Sequence, residues 1–242
     1  MKEIRFFYDP CVSGELPDDE ARHALKVLRL VPGDEICLMD GRGTWYRAEI
    51  STSTSHRCMY KVVEQMPQEP AWKGYLHLAM APTKLNDRVE WFAEKATEIG
   101  FDELSFLDCQ FSERHVIKNE RIDKILISAM KQSHKSSKPI LNEMQDFSHF
   151  VSQSYEGDKF ICHCYEERDV CEAGEKPLLM NVLRPSVPTL VMIGPEGDFS
   201  IQEVRLAHAN GFRSVSLGRS RLRTETAALV AVHCMQLINQ KI

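Results

Sequence analysis

The chain has 242 residues, 43% hydrophobic and 27% charged, enough to bury a sizeable core in one or two domains. Its formal net charge of -5 does not announce a nucleic-acid binder, and no apolar run approaches the length of a membrane span. The first residues, MKEIRFFYDP, carry early charges and no signal-peptide core, so a soluble cytoplasmic protein is expected.

Up to about residue 70 the pattern is mostly β. Segments Ile4–Tyr8, Glu35–Asp40, Thr44–Ile50 and Arg57–Gln65 read as strands, with DGRG at 40–43 as a hairpin turn. One helix interrupts them, EARHALKVLRL, which Asp18 can cap. A small barrel-like domain over 1–70 is expected, followed by the linker MPQEPAW.

From residue 74 the period changes, and 74–242 reads as a second domain. Strands Gly74–Met80, Leu104–Leu107, Lys159–Cys164, Thr189–Ile193 and Val215–Leu217 alternate with helices. Gly100 is placed to stop the first of these helices, Asn119 to cap the second, and Ser200 with Glu203 to form a capping box. The last helix runs from Thr224 to Gln240, with Ala228, Val232, Met235 and Ile238 on one apolar face. Such alternation argues an α/β domain with a parallel sheet covered on both faces.

The eight cysteines are scattered without a C-x-x-C pair, so free thiols are expected. In CHC at 162–164, strand geometry puts Cys162 and Cys164 on one face and His163 on the other. Even with Cys171 this falls short of a structural zinc site, and no metal is expected.

Two loops follow consecutive predicted strands: GPEGDF after Ile193 and GRSRLRTET after Leu217. The carboxyl edge of such a sheet is where ligands bind, and Gly194, Gly197 and Gly218 permit close approach to backbone. Neither phosphate-binding glycine motif is present, and a plain turn remains the competing account. Thr224 or Thr226 can cap the last helix, and Glu225 suits its first turn. Charge is unevenly spread: residues 110–140 carry a local +4 and residues 142–176 a local -6. The basic segment is either a phosphate-tracking surface or a solvated helix face.

IGPEGDFS followed by LGRSRLRTETAALVA closely resembles the bacterial 16S ribosomal RNA uridine-N3 methyltransferases, the RsmE family of the SPOUT superfamily. HALKVLRL, EKATEIG and FSERH extend the resemblance over nearly the whole chain. It departs from the family pattern at His115, Lys135 and Asp198.

The resemblance implies a PUA-like RNA-binding β domain followed by a trefoil-knotted methyltransferase domain, acting as a homodimer on 16S rRNA of the 30S subunit. It implies S-adenosylmethionine held by Met80, Ile193, Gly194, Pro195, Glu196, Gly197, Leu217, Gly218, Leu222, Arg223, Thr224, Thr226 and Ala227. Arg223 and Arg114 are expected to stabilise developing charge, with Glu225 as base or as helix-capping acid. RNA contacts are expected from Arg5, His23, Lys26, Arg29, Arg114, Lys124, Lys131 and Lys135. Three other readings stay open: a methyltransferase for another rRNA position or base, an RNA-binding module without catalysis, and a nucleotide-dependent enzyme of doubly wound type.

Overall fold

The computed structural model describes residues 5–54, 56–170 and 175–240; Ile4 of the first predicted strand and Cys171 lie outside them. The chain divides into two compact units, Met1–Pro70 with Ile127–Lys138, and Ala71–Leu126 with Pro139–Ile242.

In the first unit, β1 (Phe6–Tyr8) runs parallel to β2 (Glu35–Met39). β3 (Thr44–Ser53) and β4 (Cys58–Pro67) follow as antiparallel neighbours, so two strands are longer than the sequence pattern suggests. After β1 the chain crosses to the far edge, where Leu16 donates to the Cys58 carbonyl and Tyr60 donates to that of Gly14. These bonds bend the sheet toward closure around Phe7, Leu16, Ala24, Ile36, Leu38 and Ile50. Asp9 anchors the crossing: its buried carboxylate accepts the amides of Cys11 and Val12 and, at 2.6 Å, the Tyr60 hydroxyl. The helix α1 (Asp18–Arg22) continues as a wider turn through Val27. Pro17, not Asp18, occupies its N-cap; Asp18, Asp19 and Glu20 instead place three negative charges in the first turn, where the helix dipole favours them.

The second unit is built on parallel strands. β5 (Leu76–Met80) leads into α2 (Asn86–Ile99), β6 (Glu103–Asp108), α3 (Asn119–Gln132), and the short β7 (Ile140–Leu141) and β8 (Gln145–Asp146). Next come α4 (Phe147–Val151), β9 (Asp158–Cys162), α5 (Glu167–Val170) and α6 (Leu179–Val182). β10 (Thr189–Ile193), α7 (Ile201–Ala209), β11 (Arg213–Val215) and α8 (Thr224–Asn239) complete it. The strand order is β11-β9-β10-β5-β6-β7, with β8 also pairing with β6.

Side chains alternate across the central strands, and each face has its own helices. Leu76, Leu78, Met80, Val191 and Ile193 meet Val89, Phe92 and Ala96 of α2 and Ala228, Ala231, Val232 and Met235 of α8. Ala79, Leu190, Met192 and Ile161 meet Phe147 and Phe150 of α4 and Val204 and Ala207 of α7. The apolar face expected on the last helix is therefore spent on this chain's own core, with Ile238 partly buried against it.

The predicted stops hold where they are local. Gly100 ends α2 at φ +112°, and a Cβ there would come within 2.6 Å of the Trp72 ring. Ser200 and Glu203 form a complete capping box for α7. Asn119 lies inside α3 rather than capping it, and its side-chain amide donates to the Asn142 carbonyl. β9 ends at Cys162, so CHC is not one continuous strand: His163 is buried and Cys164 is exposed.

Two buried histidines sit on this sheet. His77 Nε2 lies 2.9 Å from Ser105 Oγ, and His163 Nε2 lies 2.7 Å from Ser214 Oγ, which is also 2.8 Å from His208 Nε2. Burial drives His77 down to about 4 from an ordinary 6.5, against the opposing pull of Glu103. Burial, aided by Lys176 and His208, drives His163 down to about 3. Both rings are thus neutral in the fold at pH values where the unfolded chain has already bound protons. Their contribution is complete above pH 6.5 and is lost as pH falls toward 4, by up to about 1.4 kcal/mol per pH unit for each ring. Urea titrations between pH 7 and 4.5 should show stability declining across that window. His77→Gln should flatten the decline, and an identical slope in that variant would contradict the assignment.

Candidate cofactor cradle and active site

The strand order reverses between β5 and β10. From β5 the chain builds outward through β6 and β7, while β9 and β11 lie on the other side of β10. In open α/β sheets the crevice outside the carboxyl ends at such a point is the ligand site. Among the loops that leave that edge are 81–85 after β5, 109–118 after β6, 163–166 after β9, 194–200 after β10 and 216–223 after β11.

Side chains lace these loops together. Ala81 donates to the Ile193 carbonyl, and the Lys84 amide donates to Glu196 Oε1 at 2.9 Å. Arg114 donates from Nε to the Thr83 carbonyl at 3.1 Å and from a second nitrogen to the Lys84 carbonyl. The Cys164 amide donates to Asp198 Oδ2 at 2.8 Å, and Lys176 Nζ donates to the carbonyls of His163 and Tyr165. Each bond satisfies a backbone group that the end of a strand leaves open.

The glycines divide by role. A Cβ on Gly194 would come within 2.9 Å of the Phe199 amide nitrogen, and one on Gly197 within 3.0 Å of the Phe111 Cβ. Those two glycines let the loop pack on itself and on the segment after β6. Gly218 differs: it has φ +122°, and a Cβ there would meet nothing within 4 Å. Ser216 shapes this turn, accepting the Gly218 amide on its hydroxyl while its own backbone bonds to Pro177 and Leu179.

The turn delivers the chain to α8. Arg223 is its N-cap, exposed and extended, so neither Thr224 nor Thr226 caps the helix; Thr224 is its buried first residue. No described side chain bonds the first-turn amides of α8, which leaves donors for an anionic group. Glu225 is 6% exposed. Its Oε1 lies 3.7 Å from Arg88 Nε, and its buried Oε2 accepts no hydrogen bond from the described residues.

The remaining expected cofactor residues fall on the same edge: Met80 and Ile193 buried at strand ends, Pro195 buried, Glu196 exposed, and Leu217, Leu222, Thr226 and Ala227 half-buried. Arg88 and the loop at 163–165 were not legible as site residues. Arg88 offered one signal: a cation in the first turn of α2 opposes the helix dipole and calls for a partner.

The expected RNA residues are less uniform. Arg5, His23, Lys26 and Arg29 are exposed in the first unit, and Lys26 lines a cleft of about 170 Å³ with Asp18, Arg22 and His56. Lys124 is exposed on α3. Lys131 instead pairs with Glu20 at 2.6 Å, and Lys135 lies beyond the helix end, its ammonium pushed down by burial. Lys124, Lys131 and Lys135 therefore do not form the single open face expected of them. Among the described residues no cluster of His, Cys, Asp or Glu could hold a metal ion, and no helix is long and apolar enough to cross a membrane.

Comparison with known proteins agrees with this architecture. Residues 70–236 match the RNA methyltransferase domain family, and residues 16–58 match the RNA methyltransferase PUA domain. Ribosomal RNA small subunit methyltransferase E of Rickettsia conorii is 27% identical over 227 residues, covering 93% of this chain and 89% of that protein. The structure of a ribosomal RNA small subunit methyltransferase E from Neisseria gonorrhoeae bound to S-adenosyl methionine is similar, with TM-score 0.83 and 28% identity. It covers 97% of this chain and 98% of its own. A "probable rRNA-methyltransferase" from Porphyromonas gingivalis gives TM-score 0.88 at 40% identity, covering 97% of this chain and 99% of that one. With a PUA domain, a parallel sheet laced at its carboxyl edge and both family matches in place, the chain belongs to the RsmE family of RNA methyltransferases.

Proposed function

We propose that this protein transfers the methyl group of S-adenosylmethionine to N3 of a uridine in 16S ribosomal RNA of the small subunit, in the cytoplasm. The observation that carries the chemistry is Glu225, a buried carboxylate at the carboxyl edge of the sheet, with one oxygen facing Arg88 and the other unpartnered. A buried charge without a full set of partners is costly, which suits a group whose partner arrives with substrate.

The cradle fits the cofactor. Open space at Gly218 allows close approach to backbone, and the uncapped amides of α8 offer donors to a carboxylate. The residues that would hold it are Met80, Ile193–Gly197, Leu217–Gly218 and Leu222–Ala227. When bound, S-adenosylmethionine supplies an electrophilic methyl group.

The chain's residues must then prepare the nucleophile. Uridine N3 carries a proton at neutral pH, and Glu225 takes it. Arg88 and Arg223 stabilise the negative charge that develops on the base oxygens. Arg114, both of whose bonds go to backbone carbonyls, serves by holding residues 83–84 in place.

The reading includes a homodimer and a knotted chain. Leu85, Trp91 and Leu237 leave apolar surface exposed on the second unit, where α2 and α8 pack together. In support of the knot, the chain leaves β11 beside residues 177–179, and α8 then packs under α6, β5 and β10 rather than under the sheet edge it came from.

Three outcomes test this. Glu225→Gln should cut turnover on small subunits by about 10²–10⁴-fold while calorimetry shows S-adenosylmethionine affinity retained; normal turnover would remove Glu225 as the base. Gly218→Val should weaken S-adenosylmethionine binding in a folded protein, and unchanged affinity would remove the 216–223 loop from the cradle. On the RNA side, Lys124→Ala should flatten the log–log salt dependence of binding by roughly 0.7–0.9. Lys131→Ala should leave that slope alone and lower stability, because it strands the Glu20 carboxylate. Equal slopes in the Lys124 variant and the unaltered chain would return Lys124 to ordinary solvated surface.

A further inference from the structure

Asp198 is the residue around which the loop after β10 closes. It has φ +67°, a left-handed conformation that L residues other than Asn and Asp seldom adopt. Its amide donates to the Pro195 carbonyl, closing the turn over Gly197. Its carboxylate then divides: Oδ1 accepts the Phe199 amide and Oδ2 accepts the Cys164 amide, each at 2.8 Å. The second bond joins the loops after two adjacent strands, β9 and β10.

The other side of the β9 loop is held as well. Lys176 Nζ takes the carbonyls of His163 and Tyr165, so three consecutive residues have their outward backbone groups fastened. On the far side of Gly197, Glu196 accepts the Lys84 amide. The glycine loop is thereby tied by Glu196 to the loop after β5 and by the next acid, Asp198, to the loop after β9.

Resting on the cofactor reading above, we propose that Asp198 is a positioning residue. Its carboxylate sets the separation of the loops after β9 and β10, and so the affinity of the cradle for S-adenosylmethionine, without touching the reacting atoms. A glycine would adopt this backbone conformation without strain. The aspartate accepts that strain and in return supplies two charge-assisted hydrogen bonds that a glycine lacks. With the loops already spaced, the ligand need not order them on binding, and preorganisation of this kind appears as affinity.

The test compares Asp198→Gly and Asp198→Asn with the unaltered full chain. Asp198→Gly relieves the backbone and removes both acceptors, so its melting temperature should fall modestly while the protein stays folded. Hydrogen exchange at the Cys164 amide should become fast. Calorimetry should show S-adenosylmethionine bound about tenfold more weakly, the scale of one lost charge-assisted bond. Turnover at saturating cofactor should stay within about twofold, since nothing at the reacting atoms has changed. Asp198→Asn tolerates the same backbone and keeps one acceptor, so it should fall between the two.

Unchanged protection of the Cys164 amide in Asp198→Gly would show that the carboxylate is not the tie. Fast exchange there with parental affinity would show that the tie does not govern binding. Either result overturns the proposal while leaving the cofactor reading intact. Absence of S-adenosylmethionine binding by the unaltered chain would instead defeat that reading, and the proposal with it.

Discussion

The parallel pairing of β5 with β10, in register from Leu76 against Thr189 to Met80 against Ile193, is the constraint on which the second unit depends. It joins the first strand of the unit to one more than a hundred residues later, so most of the unit must fold around a contact that is expensive to close. What stabilises the seam is burial on both faces: Leu78 and Val191 on one side, Ala79 and Met192 on the other, all inaccessible to water. Because the strands are parallel and in register, their carboxyl ends finish level. The loops that follow therefore face one another across a short gap.

Level ends create a difficulty that the site turns to use. Strand ends expose amides and carbonyls that need partners, and backbone bonds such as Ala81 to Ile193 and Asp198 to Pro195 meet only part of that need. Glu196, Asp198, Arg114 and Lys176 reach across to neighbouring loops and supply those partners. The same charged side chains that complete the backbone accounting hold the cradle in shape. On the reading proposed above, the bonds that satisfy the backbone at this edge are also the ones that would preorganise it for a ligand.

Local features were readable from residue order. Ser200 and Glu203 are three residues apart, and Gly100 ends its helix next to the residues it stops, so propensity and capping chemistry suffice. The edge carrying the candidate site was also readable as an edge, because alternating strands and helices dictate where loops of one kind emerge. What was not readable depends on residues far apart in the chain. Gly197 serves Phe111, Glu225 faces Arg88, and Lys131 answers Glu20 across 111 residues. The face of α8 with Ala228, Val232 and Met235 shows the same limit: periodicity reveals that a face is apolar, not whose surface covers it. Family resemblance pointed to the two loops but could not say that Gly197 packs against Phe111 while Gly218 faces open space.

Ser214 stands within hydrogen-bond distance of two imidazole nitrogens, one on His163 and one on His208. A hydroxyl has a single hydrogen to give. If it points to His163, then the His208 nitrogen must carry its own hydrogen and donate it; if it points to His208, the roles exchange. The hydroxyl oxygen also has two lone pairs, so this one small side chain can bond both rings at once, linking β11 to the loop after β9 and to α7.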